Sequence, residues 1–228
     1  MAFQPVVDIE TRTIYSYEAL VRGSNGESAA HVLAGITEQN RYAFDQACRV
    51  KAISTAARLG LRKRLNINFM PNAVYHPEAC LKLTLAAAQK YQFPANLITF
   101  EFTEDEKILN RDHLKVIIET YRKHNFMTAL DDFGAGFAGL ALLADFQPDC
   151  IKIDRCLVSG IESDLARQAI VAGLIRTATM MGILVVAEGV ERQEEVEFLR
   201  TQGVRLFQGF LFAKPAIEKL TQPEDIHW

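Results

Sequence analysis

Short apolar runs in this chain end, again and again, in an acidic or amide side chain. Glu18 follows Ile14-Tyr15-Ser16-Tyr17, Asn68 closes Leu65-Asn66-Ile67, and Glu101 closes Leu97-Ile98-Thr99-Phe100. Asp131 and Asp132 follow Met127-Thr128-Ala129-Leu130, and Glu188 ends Ile183-Leu184-Val185-Val186-Ala187. Runs this apolar read as strands buried on both faces, as in a parallel sheet. Carboxylates at the same end of successive strands converge on one face, and hard cations bind such clusters of oxygens. The pattern therefore predicts a metal site, and a metal site predicts chemistry.

The segments between the runs complete an alternation of strands and helices. Strands are expected at Phe3–Val7, Ile14–Val21, Arg64–Asn68, Ile98–Phe102, Met127–Asp131, Cys150–Ile153, Ile183–Ala187 and Arg205–Phe207. Helices are expected at Tyr42–Leu59, Pro77–Gln92, Asp112–Asn125, Asp164–Met181 and Arg192–Gln202. In Asp112–Asn125 the residues Leu114, Ile117, Ile118 and Tyr121 fall on one helical face. Repeated βα units with right-handed crossovers build a parallel sheet, and polar residues at the ends of many strands favour a closed barrel over an open sheet. Only six residues, Asp8 to Thr13, join the first two strands. That is too few for a helical crossover, so these two strands are expected to be antiparallel. The fold class is thus α/β, a modified (β/α)8 TIM-like barrel with one antiparallel strand near the N-terminus.

The 228 residues fit one large domain, and 49% apolar with 23% charged residues is ordinary for a globular core. A net charge of −3 gives no footing for a nucleic-acid polymer or an anionic membrane. No apolar stretch has the length of a membrane span and no signal peptide is visible, so a cytoplasmic setting is expected. Cys48, Cys80, Cys150 and Cys156 form no C-x-x-C pair and are read as reduced core thiols. Gln222–Trp228 reads as a surface tail. The chain starts almost directly on its first strand, as a domain cut from a longer protein does.

Six motifs occur in order: Tyr17-Glu18-Ala19-Leu20-Val21-Arg22, Glu101-Phe102-Thr103-Glu104, Asp131-Asp132-Phe133-Gly134, Ile151-Lys152-Ile153-Asp154, Ala187-Glu188-Gly189-Val190-Glu191 and Gln208-Gly209-Phe210-Leu211-Phe212. Together they resemble the EAL-domain phosphodiesterases, over nearly the whole chain from Gln4-Pro5 to Lys214-Pro215. The resemblance implies a single EAL-type domain over residues 1–228 that hydrolyses cyclic di-GMP to linear 5′-pGpG with two Mg2+ or Mn2+ ions. It further implies a homodimer, with a sensory domain fused or separate. Glu18, Asn68, Glu101 and Asp131 match the ligands of the first metal, and Asp131 with Asp132 those of the second. Neighbouring strand residues point to opposite sides, so the chain must already be turning at Asp132. Glu188 matches a further acidic position beside the metals. Lys152 matches a position near the attacking water, where it orients the water and stabilises charge or, if the cations depress its pKa, acts as general base; Gln208 matches one that positions the water or the second metal's shell, and an unpaired ammonium on a buried strand would be costly. Arg22 suits a substrate phosphate, since a guanidinium can hold two oxygens at once. Gln4, Pro5, Leu20, Asp154 and Pro215 match the guanine and ribose pocket. Glu104, Gly134, Gly136 and Glu191 match supporting positions, Glu191 as an anchor of the loop after Asp131-Asp132. Phe210 or Phe212 is expected to stack on a guanine.

The loop from Asp132 to Leu140 departs from the family's D-F-G-T-G-Y-S-S-L at Ala135, Phe137, Ala138 and Gly139, losing hydroxyl groups and gaining a glycine. An easily deformed, regulated loop is expected. The competing reading is a catalytically silent cyclic di-GMP receptor. Such proteins usually lose metal ligands, and none is lost here.

Overall fold

The structure, a computed structural model, describes residues 1–103, 111–136 and 139–228. Its strands are β1 (Ala2–Asp8), β2 (Thr13–Leu20), β3 (Arg64–Asn68), β4 (Ile98–Thr103), β5 (Met127–Phe133), β6 (Cys150–Ile153), β7 (Leu184–Ala187), β8 (Leu206–Phe207) and β9 (Ala216–Ile217). The helices are α1 (Ala29–Leu33), α2 (Arg41–Arg58), α3 (Pro77–Lys90), α4 (Arg111–Lys123), α5 (Gly139–Asp145), α6 (Arg155–Val158), α7 (Leu165–Met180) and α8 (Gln193–Thr201).

Strands β2 to β8 run parallel in sequence order, and β1 closes the barrel between β8 and β2. β1 is antiparallel to both neighbours, so the reversed strand sits where the short Asp8–Thr13 connection requires it. β9 adds to β1 alone, next to Ala2 and Phe3. Of the runs that read as doubly buried, those in β4 and β5 are buried nearly throughout, whereas Tyr15 in β2 and Leu184 and Val185 in β7 are only half-buried.

The helices pack outside the barrel on the faces their periodicity selects. α4 buries Leu114, Ile117, Ile118 and Tyr121. α7 begins where Asp164 Oδ1 accepts the backbone N–H of Ala166 and of Arg167, both at 3.0 Å, which satisfies two groups the first turn leaves unpaired. A second, smaller apolar cluster of Val6, Ala129, Cys150, Val186 and Leu206 is separate from this outer core.

Two expectations are corrected. The C-terminal residues Gln222–Trp228 do lie at the surface, but Ile226 does not: it is 7% exposed and belongs to the main core, and His227 N–H donates to the Phe212 carbonyl at 3.4 Å. Among the cysteines, Cys80 and Cys150 are core thiols, whereas Cys48 is half-buried and Cys156 is exposed on α6. The short elements α1, α5, α6 and β9 carry too few periods to be read from sequence. No helix among the described residues is long and apolar enough to cross a membrane.

Candidate metal centre

The strand ends meet at one end of the barrel, around Lys152. This side chain is 1% exposed, and its Nζ lies 2.6 Å from Glu188 Oε1, 2.9 Å from Asp131 Oδ1, 3.1 Å from Glu101 Oε2 and 3.2 Å from Glu18 Oε2. β2, β4, β5 and β7 each deliver one of these carboxylates and β6 the lysine, so the site is a product of barrel closure.

Asp132 joins the cluster through its backbone. The β5–β6 register slips between Leu130 and Phe133, and Asp132 has φ +52°, in the left-handed region that non-glycine residues seldom adopt. That twist turns two successive side chains to one side. Carboxylate oxygens of Asp131, Asp132 and Glu188 then lie within 4.8 Å of one another, as do those of Glu18, Glu101 and Asp131. The turning expected at Asp132 is observed.

Amide side chains fix the carboxylates from behind. Asn68 Nδ2 donates to Glu18 Oε1 and Asn66 Nδ2 donates to Glu101 Oε1, each at 2.8 Å. Gln208 Nε2 donates to Glu18 Oε2 at 2.8 Å and to Gln4 Oε1 at 3.2 Å, and Gln4 Nε2 donates to the Ala213 carbonyl at 3.1 Å. Gln208 Oε1 is left buried without a hydrogen-bond partner among the described residues. Gly209, beside it, passes the backbone of Val190 so closely that a Cβ would lie 2.0 Å from the Val190 carbonyl oxygen.

Charge in this cluster is lopsided. Burial would pull the Lys152 ammonium down, yet Asp131, Glu101, Glu18 and Glu188 outweigh it and hold its pKa well above the usual lysine value. Burial pushes Glu101 and Glu188 well above the usual carboxyl range in spite of Lys152, with their acidic neighbours adding to the effect. Burial, then Asp131 and Asp154, push Asp132 up to about 6. Five carboxylates share one ammonium.

The donor set suits a hard divalent cation. Every facing donor is oxygen, the Asp131 carboxylate belongs to both groups, and the amide of Asn68, with its N–H on Glu18, turns its carbonyl the other way. The buried Gln208 Oε1 is a further oxygen without a hydrogen-bond partner among the described residues. The residues present fit the metal that the sequence calls for.

Beside the cluster lies a cavity of about 310 Å3, lined by Gln4, Glu18, Asp131, Asp132, Asp154, Glu188, Gln208 and Phe210, with Arg155, Gly189, Glu191 and Gly209 at its wall. A second, more apolar cavity of about 380 Å3 shares Glu18, Asn68, Asp131 and Asp132, and Leu20 lines it together with Leu33, Phe44 and Met70. Phe210 is 52% exposed at the first cavity, with Lys214 Nζ 5.5 Å from its ring centre, while Phe212 is buried in the core.

Other expected residues sit apart. Pro5 is buried in β1 opposite Tyr17 and lines neither cavity. Arg22 and Pro215 are half-buried outside both cavities, and Arg22 Nη1 donates to the Val21 carbonyl at 2.7 Å. Asp154 lines the polar cavity and also caps α6, its Oδ1 accepting the Cys156 N–H at 2.8 Å. Gly134, at φ +99°, and Gly136 follow β5 in the loop, and a Cβ on Gly134 would meet Leu157 at 2.4 Å. Glu191 pairs with Arg155 Nη2 on α6 at 3.0 Å. Glu104, Phe137 and Ala138 lie outside the described residues, and Gly139 begins α5. Asn66 was missed by sequence reasoning, although its place two residues before Asn68 puts it on the same strand face. Arg155 was missed as well.

A family model of the EAL domain matches residues 1–215. The chain belongs to the EAL-domain family. It superposes on a standalone EAL protein from Vibrio cholerae O395, in its c-di-GMP-bound form, with a TM-score of 0.95 and 50% identity over 99% of this chain and 96% of that one. A manganese and cyclic di-GMP complex of Klebsiella pneumoniae BlrP1 gives a TM-score of 0.90 and 38% identity over 95% of this chain and 56% of that one. The blue light- and temperature-regulated antirepressor BluF of Escherichia coli K12 is 34% identical over all of this chain and 56% of its own length. The cyclic di-GMP phosphodiesterase PdeB of Shewanella oneidensis is 34% identical over 66% of this chain and 18% of its own length. The chain thus spans about half or less of these curated relatives, and its barrel is the EAL barrel.

Proposed function

We propose that this EAL domain hydrolyses cyclic di-GMP to linear 5′-pGpG with two divalent cations, Mg2+ or Mn2+. The observation that carries the reading is the make-up of the barrel mouth: five clustered carboxyl groups, three buried and two half-buried, against one lysine, an imbalance that divalent cations would offset. The similarity to PdeB and to the manganese and cyclic di-GMP complex of BlrP1 supports the substrate and the metal class.

Glu18, Asn68, Glu101 and Asp131 would hold one cation, and Asp131 with Asp132 the other. Bound there, the pair would neutralise the phosphodiester and lower the pKa of water between them. Lys152, whose Nζ lies within 3.2 Å of four carboxylates, is placed as a charge-stabilising donor beside the reacting phosphate. Gln208 orients Glu18 through Nε2 and offers Oε1 as an acceptor to the water's proton side. Gln4, Asp154 and Phe210 form a wall for one nucleoside, and Leu20 for the apolar side.

Exposed Leu165, Ile170 and Met180 on α7 support a homodimer. The light- and temperature-regulated relative, about twice as long, supports control by a fused or separate sensory unit. That relative is an antirepressor by name, which is what favours the second reading, a receptor that binds cyclic di-GMP without turnover.

Purified protein is incubated with cyclic di-GMP and Mg2+ or Mn2+, with EDTA and Glu18→Ala controls, and products are separated by ion exchange. Appearance of pGpG that both controls abolish is expected. Binding without turnover in either metal selects the receptor.

A further inference from the structure

We propose that one water molecule is a fixed part of the barrel interior, bound between Ser16 and Asn66, and that through it Asn66 positions Glu101 for metal binding. The barrel interior is layered. Two residues inward from Glu18, Asn68, Glu101, Asp131, Lys152, Glu188 and Gln208 stand Ser16, Asn66, Thr99, Ala129, Cys150, Val186 and Leu206, which share their strand faces. On the side of β5 to β8 and β1 this deeper layer is the small apolar cluster that includes Val6. On β2, β3 and β4 it is polar: Ser16, Asn66 and Thr99, all buried.

That polar arc is incomplete as protein alone. Asn66 Nδ2 donates to Glu101 Oε1 at 2.8 Å, and a carboxylate accepts only from the amide's N–H side. The orientation of Asn66 is thereby fixed, with Oδ1 turned away from Glu101. Asn66 Oδ1 and Ser16 Oγ are both buried without a hydrogen-bond partner among the described residues. Both residues line one cavity of about 10 Å3, together with Thr99, Glu101 and Lys152. A single water needs roughly 10–15 Å3 and two to four polar partners. It would donate to Asn66 Oδ1, accept the Ser16 hydroxyl and find the Thr99 hydroxyl as a third partner. Buried polar groups are nearly always satisfied, and here one water satisfies two at once.

The consequence reaches the metal. With Oδ1 held by the water, Asn66 keeps its N–H on Glu101 Oε1 and leaves Oε2, beside Lys152, toward the cations. Partners behind a ligand typically change metal affinity by about 10–100-fold when removed.

The metal arm rests on the proposed function; the water arm does not. A crystal structure of the wild-type protein, with and without Mn2+, is expected to show an ordered water between Ser16 Oγ and Asn66 Oδ1 in both. An empty cavity, or a direct Ser16–Asn66 hydrogen bond closing it, overturns the proposal. Mn2+ affinity is then measured by calorimetry. Asn66→Asp, which sets an acceptor against Glu101 Oε1, is expected to weaken Mn2+ binding about tenfold or more. Ser16→Ala, a milder change that tests the water alone, is expected to weaken it a few-fold, with unchanged kcat at saturating Mn2+ and an unchanged melting temperature. Wild-type affinity in both variants overturns the positioning role. If the wild-type protein itself binds no Mn2+, the metal reading has failed and the water stands or falls on the crystal structure.

Discussion

Helix α2 and the barrel mouth both draw ionisable side chains out of water, and they balance them differently. On α2, Asp45 and Arg49 pair at 2.7 Å, Arg49 Nη1 donates to Tyr121 Oη at 2.8 Å, and Asp45 Oδ1 accepts the Met70 N–H at 3.0 Å. The guanidinium lies 4.9 Å from the Phe100 ring centre and 5.3 Å from that of Phe69. One acid meets one base, so the charges match within the protein, although Arg49 Nε is buried without a hydrogen-bond partner among the described residues. At the barrel mouth four carboxylates contact one lysine and a fifth, Asp132, stands beside them. The first arrangement supports the fold, clamping the turn that follows Asn68. The second burdens the fold and is useful only with a ligand of opposite charge.

The largest test of that contrast is Asp132→Asn. Turnover is expected to fall on the order of 10^3-fold, because several kcal/mol of charge stabilisation depends on the second cation. The metal-free protein at pH 7.5 is nevertheless expected to melt no lower than wild type, since an ionised Asp132 opposes folding there. A clear loss of melting temperature would show that the cluster is structural. Arg49→Met is the opposite experiment. Removing one partner of a buried pair costs about 3–5 kcal/mol. Urea denaturation is expected to register that loss, while the folded fraction keeps its turnover within a few-fold. Equal stability would mean that Asp45 finds another donor.

Cations and pH probe the same imbalance more gently. At a cation concentration 100 times its Kd, Mg2+ or Mn2+ is expected to add about 2.7 kcal/mol to stability. Without cations the direction with pH is set by Asp132, whose carboxyl is raised from 3.8 to about 6. The folded protein then holds this proton more tightly than the unfolded chain. Its contribution is complete below pH 3.8 and is lost as pH rises through about 6. Metal-free melting temperatures should therefore fall from pH 5 to pH 7, and Mn2+ affinity should rise over the same interval. Calorimetry at several pH values checks both; a pH-independent Mn2+ affinity would mean that the acids are ionised without the metal.

The two clusters also differ in how much of them the sequence reveals. The acids at the barrel mouth follow apolar runs of fixed polarity, so strand alternation alone brings Glu18, Glu101, Asp131 and Glu188 together once the barrel closes. The reversed β1 follows from a six-residue connection, and the turn at Asp132 from two adjacent acids needing one side. Asp45 and Arg49 give no such signal, because i,i+4 charge pairs are ordinary on exposed helix faces. Their burial is decided by Phe69, Phe100 and Tyr121, which come from three other elements. The same applies to Arg155, whose partner Glu191 lies a whole βα unit away, and to Arg22, whose arginine chemistry says nothing about where its guanidinium rests. Ile226 was misread because a short polar segment around one apolar residue shows no period.

The smallest expected effect concerns the rim of the polar cavity, where the alternating aromatics Phe210 and Phe212 part company. Phe212 is core, 6.2 Å from the Phe207 ring centre, and its loss acts on stability. Phe210 presents one face to the cavity while Lys214 lies over the ring at 5.5 Å. A base stacked on an aromatic ring contributes about 1–3 kcal/mol. In Phe210→Ala this is expected to raise KM for cyclic di-GMP about tenfold, with kcat within a few-fold and an unchanged melting temperature. A ring that binds substrate and transition state alike moves KM and leaves kcat in place. Should kcat fall instead, with KM constant, Phe210 would belong with Gln208 and Glu18 in aligning the reacting groups. If neither constant moves, the guanine rests in the apolar cavity beside Leu20, and Leu20→Ala should then carry the KM effect.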